Sequence, residues 1–195
     1  MGRVVLNVRR VDSSLYTPFI DLWVAHRIET GTTPEAAHRL AADGTLRSAL
    51  ERPDVSALIA FHDGTPAGYI VLGDTTRSLL VDSPSVTIDM LFVVPELRRQ
   101  GVARALLSAA ARYADRQGAE HITSSVPAQD REANRFFARL GFASETVRRV
   151  TTSATLQRRL AGHGTTTRYS LDQVLQRRRD VRARLTTASP PQIAG

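Results

Sequence analysis

Residues 91–107, Leu-Phe-Val-Val-Pro-Glu-Leu-Arg-Arg-Gln-Gly-Val-Ala-Arg-Ala-Leu-Leu, decide how this chain is read. An apolar run ends at Pro95, and Arg98-Arg99-Gln100-Gly101-Val102-Ala103 then opens a long amphipathic segment. A strand that passes through a short basic loop into a helix N-terminus leaves backbone N–H groups without intrahelical partners, and the helix dipole favours negative charge there. The stretch is therefore an anion cradle suited to phosphate. Gly101 lets the backbone approach a phosphate oxygen with no Cβ in the way, and small Ala103 does the same in the first turn. Arg98, Arg99 and Arg104 supply guanidinium groups, strong phosphate partners. A glycine and a few arginines begin many surface helices, so the flanks carry the specificity. Thr87 to Val94 is rich in Val, Ile, Leu and Phe and predicts a strand. Val102 to Ala114 carries an apolar stripe at Val102, Leu106, Ala109, Ala110 and Tyr113, which predicts a helix.

Outward from that stretch, the patterning predicts alternating elements. Val4 to Arg10 reads as a strand, Leu15 to Glu29 as a helix, and Pro34 to Glu51 as a second helix capped by Thr33 and interrupted near Asp43-Gly44. Val55 to His62 and Ala67 to Leu72 read as strands joined through Asp63-Gly64-Thr65-Pro66, with a loop over residues 73–85. Beyond the central helix, His121 to Pro127 reads as a strand. Asp130 caps a helix with Ala133, Phe136, Phe137 and Leu140 on one face, Gly141 stops it, and Ser144 to Thr151 reads as a last strand. The order β-α-α-β-β-β-α-β-α-β implies an α/β fold with helices packed on a mixed central sheet.

Two segments also match a known pattern in residue detail. Arg98-x-x-Gly101-x-Ala103 after Leu91-x-Val93-x-Pro95 resembles the pyrophosphate-binding motif of the GNAT superfamily of acetyl-CoA-dependent N-acetyltransferases. Asp130-x-x-Ala133-x-x-Phe136-Phe137-x-x-x-Gly141-Phe142 is similar to that family's helix beside the pantetheine arm, and the element order over about residues 3–151 is similar as well. The resemblance implies a GNAT-like domain over 1–152 with acetyl-CoA as co-substrate. It carries cofactor contacts onto Leu91, Phe92, Val93, Arg98, Arg99, Gln100, Gly101, Val102, Ala103, Arg104, Asp130, Phe136 and Phe137.

Acetyl transfer from a thioester to an amine needs a base that takes the ammonium proton, N–H donors that polarise the carbonyl, and in some cases an acid for the departing thiolate. A bulge in the strand bearing Leu91 to Val93 would supply such donors. Asp89 is the candidate base: several enzymes of the family carry a carboxylate there, and a carboxylate in an apolar strand needs an explanation. A solvated or salt-bridged Asp89 is the competing reading. Where many family members carry an acid Tyr, this chain has Phe137, which leaves Tyr16, Tyr69, water or unaided departure. The family's acceptor site falls here on about Trp23 to Thr33 and the loop near Arg77, with Glu29 able to hold an ammonium. His26, His38, His62, His121 and His163 are scattered without metal-ligand spacing, so no metal is expected.

Composition sets the remaining bounds. The chain has 195 residues, no cysteine and a net charge of +7, with every basic side chain an arginine. Disulfides and a thiolate nucleophile are excluded. No apolar run approaches a membrane span and the start lacks a signal-peptide core, so a cytoplasmic protein without membrane association is expected. From residue 126 onward 13 Arg face 5 acidic residues, +8 there against −1 over residues 1–125. The sequence predicts a basic helical extension over 153–185, with a short helix at Ser153 to Leu160, a Gly/Thr-rich linker and an amphipathic helix at Leu171 to Leu185, before a disordered tail over 186–195. Packing on the domain or in a homodimer is the favoured use of that helix. Nucleic acid is the less favoured partner, since no aromatic is interleaved with Arg177, Arg178, Arg179, Arg182 and Arg184. Two functions follow: an N-acetyltransferase acting on a primary amine of a small molecule or peptide, or an acetyl-CoA-binding or inactive module whose arginine-rich helix engages a polyanion or a protein.

Overall fold

A computed structural model of the chain describes residues 5–76, 83–145 and 149–161. Five strands form one sheet in the order of the sequence: β1 (Leu6–Arg10), β2 (Val55–His62), β3 (Thr65–Thr76), β4 (Pro84–Val93) and β5 (His121–Ser124). β1 to β4 pair antiparallel, and β5 joins β4 in parallel, so the sheet is mixed as expected. Asp63 and Gly64 connect β2 to β3 with φ of 48° and 82°; positive φ at both turn positions matches the twist of the flanking strands. β3 runs four residues beyond the expected end at Leu72. Thr75 Oγ1 donates to Ser85 O at 3.2 Å and lies 3.0 Å from Thr87 Oγ1, so threonine hydroxyls extend a pairing that the polar composition of 73–76 obscured.

The helices are α1 (Tyr16–Glu29), α2 (Pro34–Ala42), α3 (Thr45–Leu50), α4 (Val102–Arg116) and α5 (Arg131–Arg139). The break at Asp43-Gly44 splits the expected second helix into α2 and α3, with Asp43 Oδ1 accepting from Thr45 N at 2.8 Å. Side chains alternate across β2 to β4, and each face meets a different helical partner. On one face Ala57, Ile59, Tyr69 and Phe92 pack with Phe19, Leu22 and Trp23 of α1 and Ala37 of α2. On the other, Leu58, Ile70, Leu72 and Val86 lie with α4, which buries Val102, Leu106, Ala109, Ala110, Tyr113 and Ala114, the stripe read from sequence. Tyr113 anchors α4 by donating from its hydroxyl to the Asp74 carboxylate of β3 at 2.9 Å.

The chain divides into two units, Met1–Leu140 and Gly141–Gly195. All five strands and all five helices named above belong to the first. In the second, residues 153–161 are helical, with Thr152 Oγ1 accepting from Thr155 N at 3.1 Å as cap. The strand expected over Ser144 to Thr151 is not found in its described residues, 144–145 and 149–151. Its two apolar residues, Val147 and Val150, are three apart in sequence and cannot share one face of a strand. The expected basic helix Leu171 to Leu185, the tail over 186–195 and Arg77 lie outside the described residues.

Candidate active site

β4 has two halves. Ser85 to Ile88 are paired on both sides, with β3 and with His121 to Ser124 of β5. The register then shifts: Val71 pairs with Met90 and Leu72 with Ile88, which leaves Asp89 as the extra residue of a β-bulge. From Met90 to Val93 the strand stays paired with β3, while β5 ends at Ser124 opposite Ile88. The bulge predicted near Leu91 is therefore at Asp89, and the far edge of Met90 to Val93 is open to an extended ligand among the described residues. Gly68 of β3 faces Val93 there; a Cβ on it would lie 2.4 Å from Phe92 O, so the close seating of β3 on this half requires glycine.

The open half leads through a turn at Pro95–Leu97 into the N-terminus of α4. Arg99 and Gly101 both adopt left-handed backbone conformations, φ 62° and 85°. No side chain caps the helix, and its first bond is Ala105 N to Gly101 O at 2.9 Å, so the amides of Val102, Ala103 and Arg104 lack intrahelical acceptors. Arg99 and Arg104 are exposed. Arg98 also has partners within the protein. Its Nε donates to Val93 O at 3.1 Å and its guanidinium pairs with Glu29, so it braces the end of β4 against the end of α1. Glu29, the expected ammonium holder, is occupied by the same pair. Neither commitment is readable from a one-dimensional spacing, because 69 residues separate the partners.

Above the open half sits an aromatic cluster with polar groups inside it. Tyr69 of β3 is fully buried against Phe19, and its hydroxyl lies 2.7 Å from His26 Nδ1 and 3.7 Å from Met90 Sδ, to which it is placed to donate. The His26 ring stacks on Phe92, 4.8 Å between centroids and 13° between planes. Burial holds the His26 imidazole below the ordinary histidine value of 6.5, with Arg27 and Arg98 acting in the same direction and Glu29 against them. Burial likewise pushes the Tyr69 phenol up; Arg27 opposes the rise and Asp89 adds to it. Arg27 lies over the Trp23 ring, and Trp23 Nε1 and Arg27 Nε are buried without an acceptor among the described residues. Asp89 itself is exposed at the bulge.

Of the tyrosines considered as acids, the fold brings Tyr69 to this place. Tyr16, ten residues before His26 on α1 and thus about 15 Å along the helix, instead sits under Arg47. Asp130 caps α5 by accepting from Ala133 N at 2.9 Å, and Asn134 ties the preceding loop to Pro127 O. Phe137 is buried and Phe136 half-buried, their rings edge to face at 5.5 Å. His26 is the functional candidate that sequence reading passed over. The available signal was its place on the stripe Phe19-Leu22-Trp23-His26, where a polar ring continues an apolar face. Among the described residues no group of three His, Asp or Glu side chains is placed to hold a metal, and no helix is long and apolar enough to cross a membrane.

Residues 20–142, most of the α/β unit, match the model of the acetyltransferase (GNAT) family. The chain belongs to this family. It is 31% identical over 112 residues to the uncharacterized N-acetyltransferase YhfO of Bacillus subtilis, covering 57% of this chain and 74% of that protein. It is 29% identical over 125 residues to the aminoglycoside N(6')-acetyltransferase type 1 of Salmonella typhimurium, covering 62% of this chain and 77% of that one. The fold is similar to that of the aminoglycoside N-acetyltransferase AAC(6')-Iy solved in complex with CoA, with a TM-score of 0.64 at 19% identity over 78% of this chain and 97% of that one. The GNAT-like fold expected from the sequence is thus the one observed, and the chain is a transferase of the N-acetyltransferase class.

Proposed function

We propose that this protein transfers an acetyl group from acetyl-CoA to a primary amine of a small molecule or peptide. The observation that carries the reading is the continuity of two features: an unpaired strand edge over Met90 to Val93, and an uncapped helix N-terminus that the same strand runs into. In this reading the amides of Leu91, Phe92 and Val93 hold the pantetheine arm as an added strand would, with Phe136 and Phe137 beside it, and Asp130 fixes their helix. The backbone from Arg99 to Arg104, with Gln100, Gly101, Val102 and Ala103 between them, receives the pyrophosphate, and the Arg99 and Arg104 guanidiniums neutralise it. The residues present fit that group: the amides are unpaired, Gly101 has no Cβ, and two arginines are exposed at the rim. Arg98, bonded to Val93 O and paired with Glu29, braces that loop.

Asp89 stands at the bulge where β4 loses its second neighbour. Its carboxylate draws the acceptor ammonium to the thioester carbonyl and assists its deprotonation. Aminoglycosides are the first acceptors to test, given the Salmonella typhimurium relative, followed by peptides with free N-termini. Thiol release from acetyl-CoA with such a panel, beside calorimetry with coenzyme A, tests the reading. Asp89→Asn is expected to lower kcat/KM on a true acceptor by on the order of 10² while leaving coenzyme A affinity unchanged. An Asn variant that works at the wild-type rate removes Asp89 from the mechanism, and absence of coenzyme A binding at millimolar ligand removes the whole proposal.

A further inference from the structure

We infer that His26 is a catalytic residue: its Nε2 takes the proton that the acceptor ammonium loses, while Asp89 holds that ammonium at the bulge. The inference rests on the transferase reading above and is carried by geometry. The imidazole is fixed on two sides, stacked on Phe92 in the open half of β4 and bonded through Nδ1 to the Tyr69 hydroxyl at 2.7 Å. That hydroxyl has a second partner, Met90 Sδ at 3.7 Å, on the same stretch of strand. Tyr69 can therefore accept from Nδ1–H while its own hydrogen points to sulfur, which leaves the Nε2 lone pair free and gives the imidazolium an acceptor at Nδ1 once Nε2 is protonated.

The step balances. His26 Nε2 receives one proton from the ammonium, and the freed nitrogen lone pair attacks the thioester carbon. The C–N bond forms, the C–S bond breaks, and the thiolate leaves with the bonding pair and takes the second nitrogen proton. The charged neighbours of His26 set its working range: Glu29 and Arg27 on its own helix and Arg98 from the loop before α4, while the neutral Tyr69 hydroxyl faces it from β3 and Asp89 on β4 acts on Tyr69. Burial, the largest influence, lowers the imidazole's affinity for a proton and so favours the neutral form that can accept one. Activity is then lost as the pH falls through a value below 6.5, where the ring is already charged.

The test joins a spectroscopic measurement with kinetics on the full chain. Nitrogen-15 NMR of the His26 ring is expected to show titration below 6.5 and, in the neutral form, a proton on Nδ1 and none on Nε2. A ring carrying its proton on Nε2 at pH 7, or already charged there, overturns the inference without any acceptor. With acetyl-CoA and either sisomicin or an alanine-initiated peptide as acceptor, His26→Gln should lower kcat/KM by on the order of 10² and abolish the acid limb of the pH profile. Tyr69→Phe removes the oxygen that receives Nδ1–H, so it should move that limb to lower pH. Coenzyme A affinity serves as the folding control for both variants. Transfer that persists with the acid limb unmoved in both variants overturns the role of His26 alone. A wild-type protein that binds coenzyme A yet acetylates neither acceptor overturns the transferase reading, and this inference with it.

Discussion

The two halves of β4 make different use of the same kind of residue. Ser85 to Ile88 alternate into two packed layers and are paired with a strand on each side. Met90 to Val93 are apolar throughout, yet among the described residues one edge is left without a strand and the face above carries His26 and Tyr69 rather than aliphatic side chains alone. One inserted residue, Asp89, separates them. It flips the alternation so that Ile88 and Leu91, three apart, share a face, and it exposes a carboxylate where the sheet opens. The first half is tied to the sheet on both edges, and the second is the half on which the proposed chemistry rests. Substitutions placed in each half, or in the loop the second half feeds, should therefore separate stability from binding.

The largest expected effect is on binding, at the loop. Gly101→Glu puts a carboxylate where the cradle would receive phosphate, and coenzyme A binding should disappear at millimolar ligand in calorimetry. Stability should fall only by about 1–2 kcal/mol, the cost of a left-handed non-glycine residue, because a Cβ there meets Leu6 Cδ1 at an ordinary 3.5 Å. Gly101→Asn, which tolerates that backbone and adds no charge, should keep part of the affinity. A Glu variant that binds within tenfold of wild type would show that phosphate goes elsewhere.

The next largest effect runs the other way. Ile88, 2% exposed, ends the doubly paired half. Ile88→Ala should cost about 2–5 kcal/mol in denaturant unfolding while leaving coenzyme A affinity of the folded protein within a few-fold of wild type. If affinity falls in step with stability, the halves are one cooperative device and the contrast is wrong.

The same contrast explains what the sequence made legible. The strand, the cradle and the stripe of α4 were readable because each is a local pattern: a run of β-branched residues, a glycine at a turn into a helix, apolar residues at helical spacing. The hairpin at Asp63-Gly64 was readable for the same reason. What stayed hidden depends on contacts across the fold. Arg98 and Glu29 pair across the fold, a contact that the sequence around neither residue reports. His26 looks inert until Tyr69 and Phe92, 43 and 66 positions away, close on its ring. The end of β3 was missed because its last pairs rest on hydroxyl contacts between threonines, which no hydropathy pattern reports.

Those threonines supply the smallest expected effect and the sharpest control. Thr75, Thr87 and Thr123 form a row across β3, β4 and β5, with Thr87 Oγ1 3.0 Å from the first hydroxyl and 2.8 Å from the last. Thr87→Val keeps the β-branched shape that suits a strand and removes the middle hydroxyl. Thr75 retains its bond to Ser85 O, and Thr123 keeps partial access to water, so neither hydroxyl is stranded without an acceptor. The loss should be below about 1 kcal/mol in denaturant unfolding. Thr87 is two residues before the bulge but on its closed side, so kcat/KM and coenzyme A affinity should stay within twofold of wild type. A larger kinetic change from so mild a substitution would mean that the closed half tunes the open one through the bulge, and Asp89 would then be a hinge between the halves rather than a border.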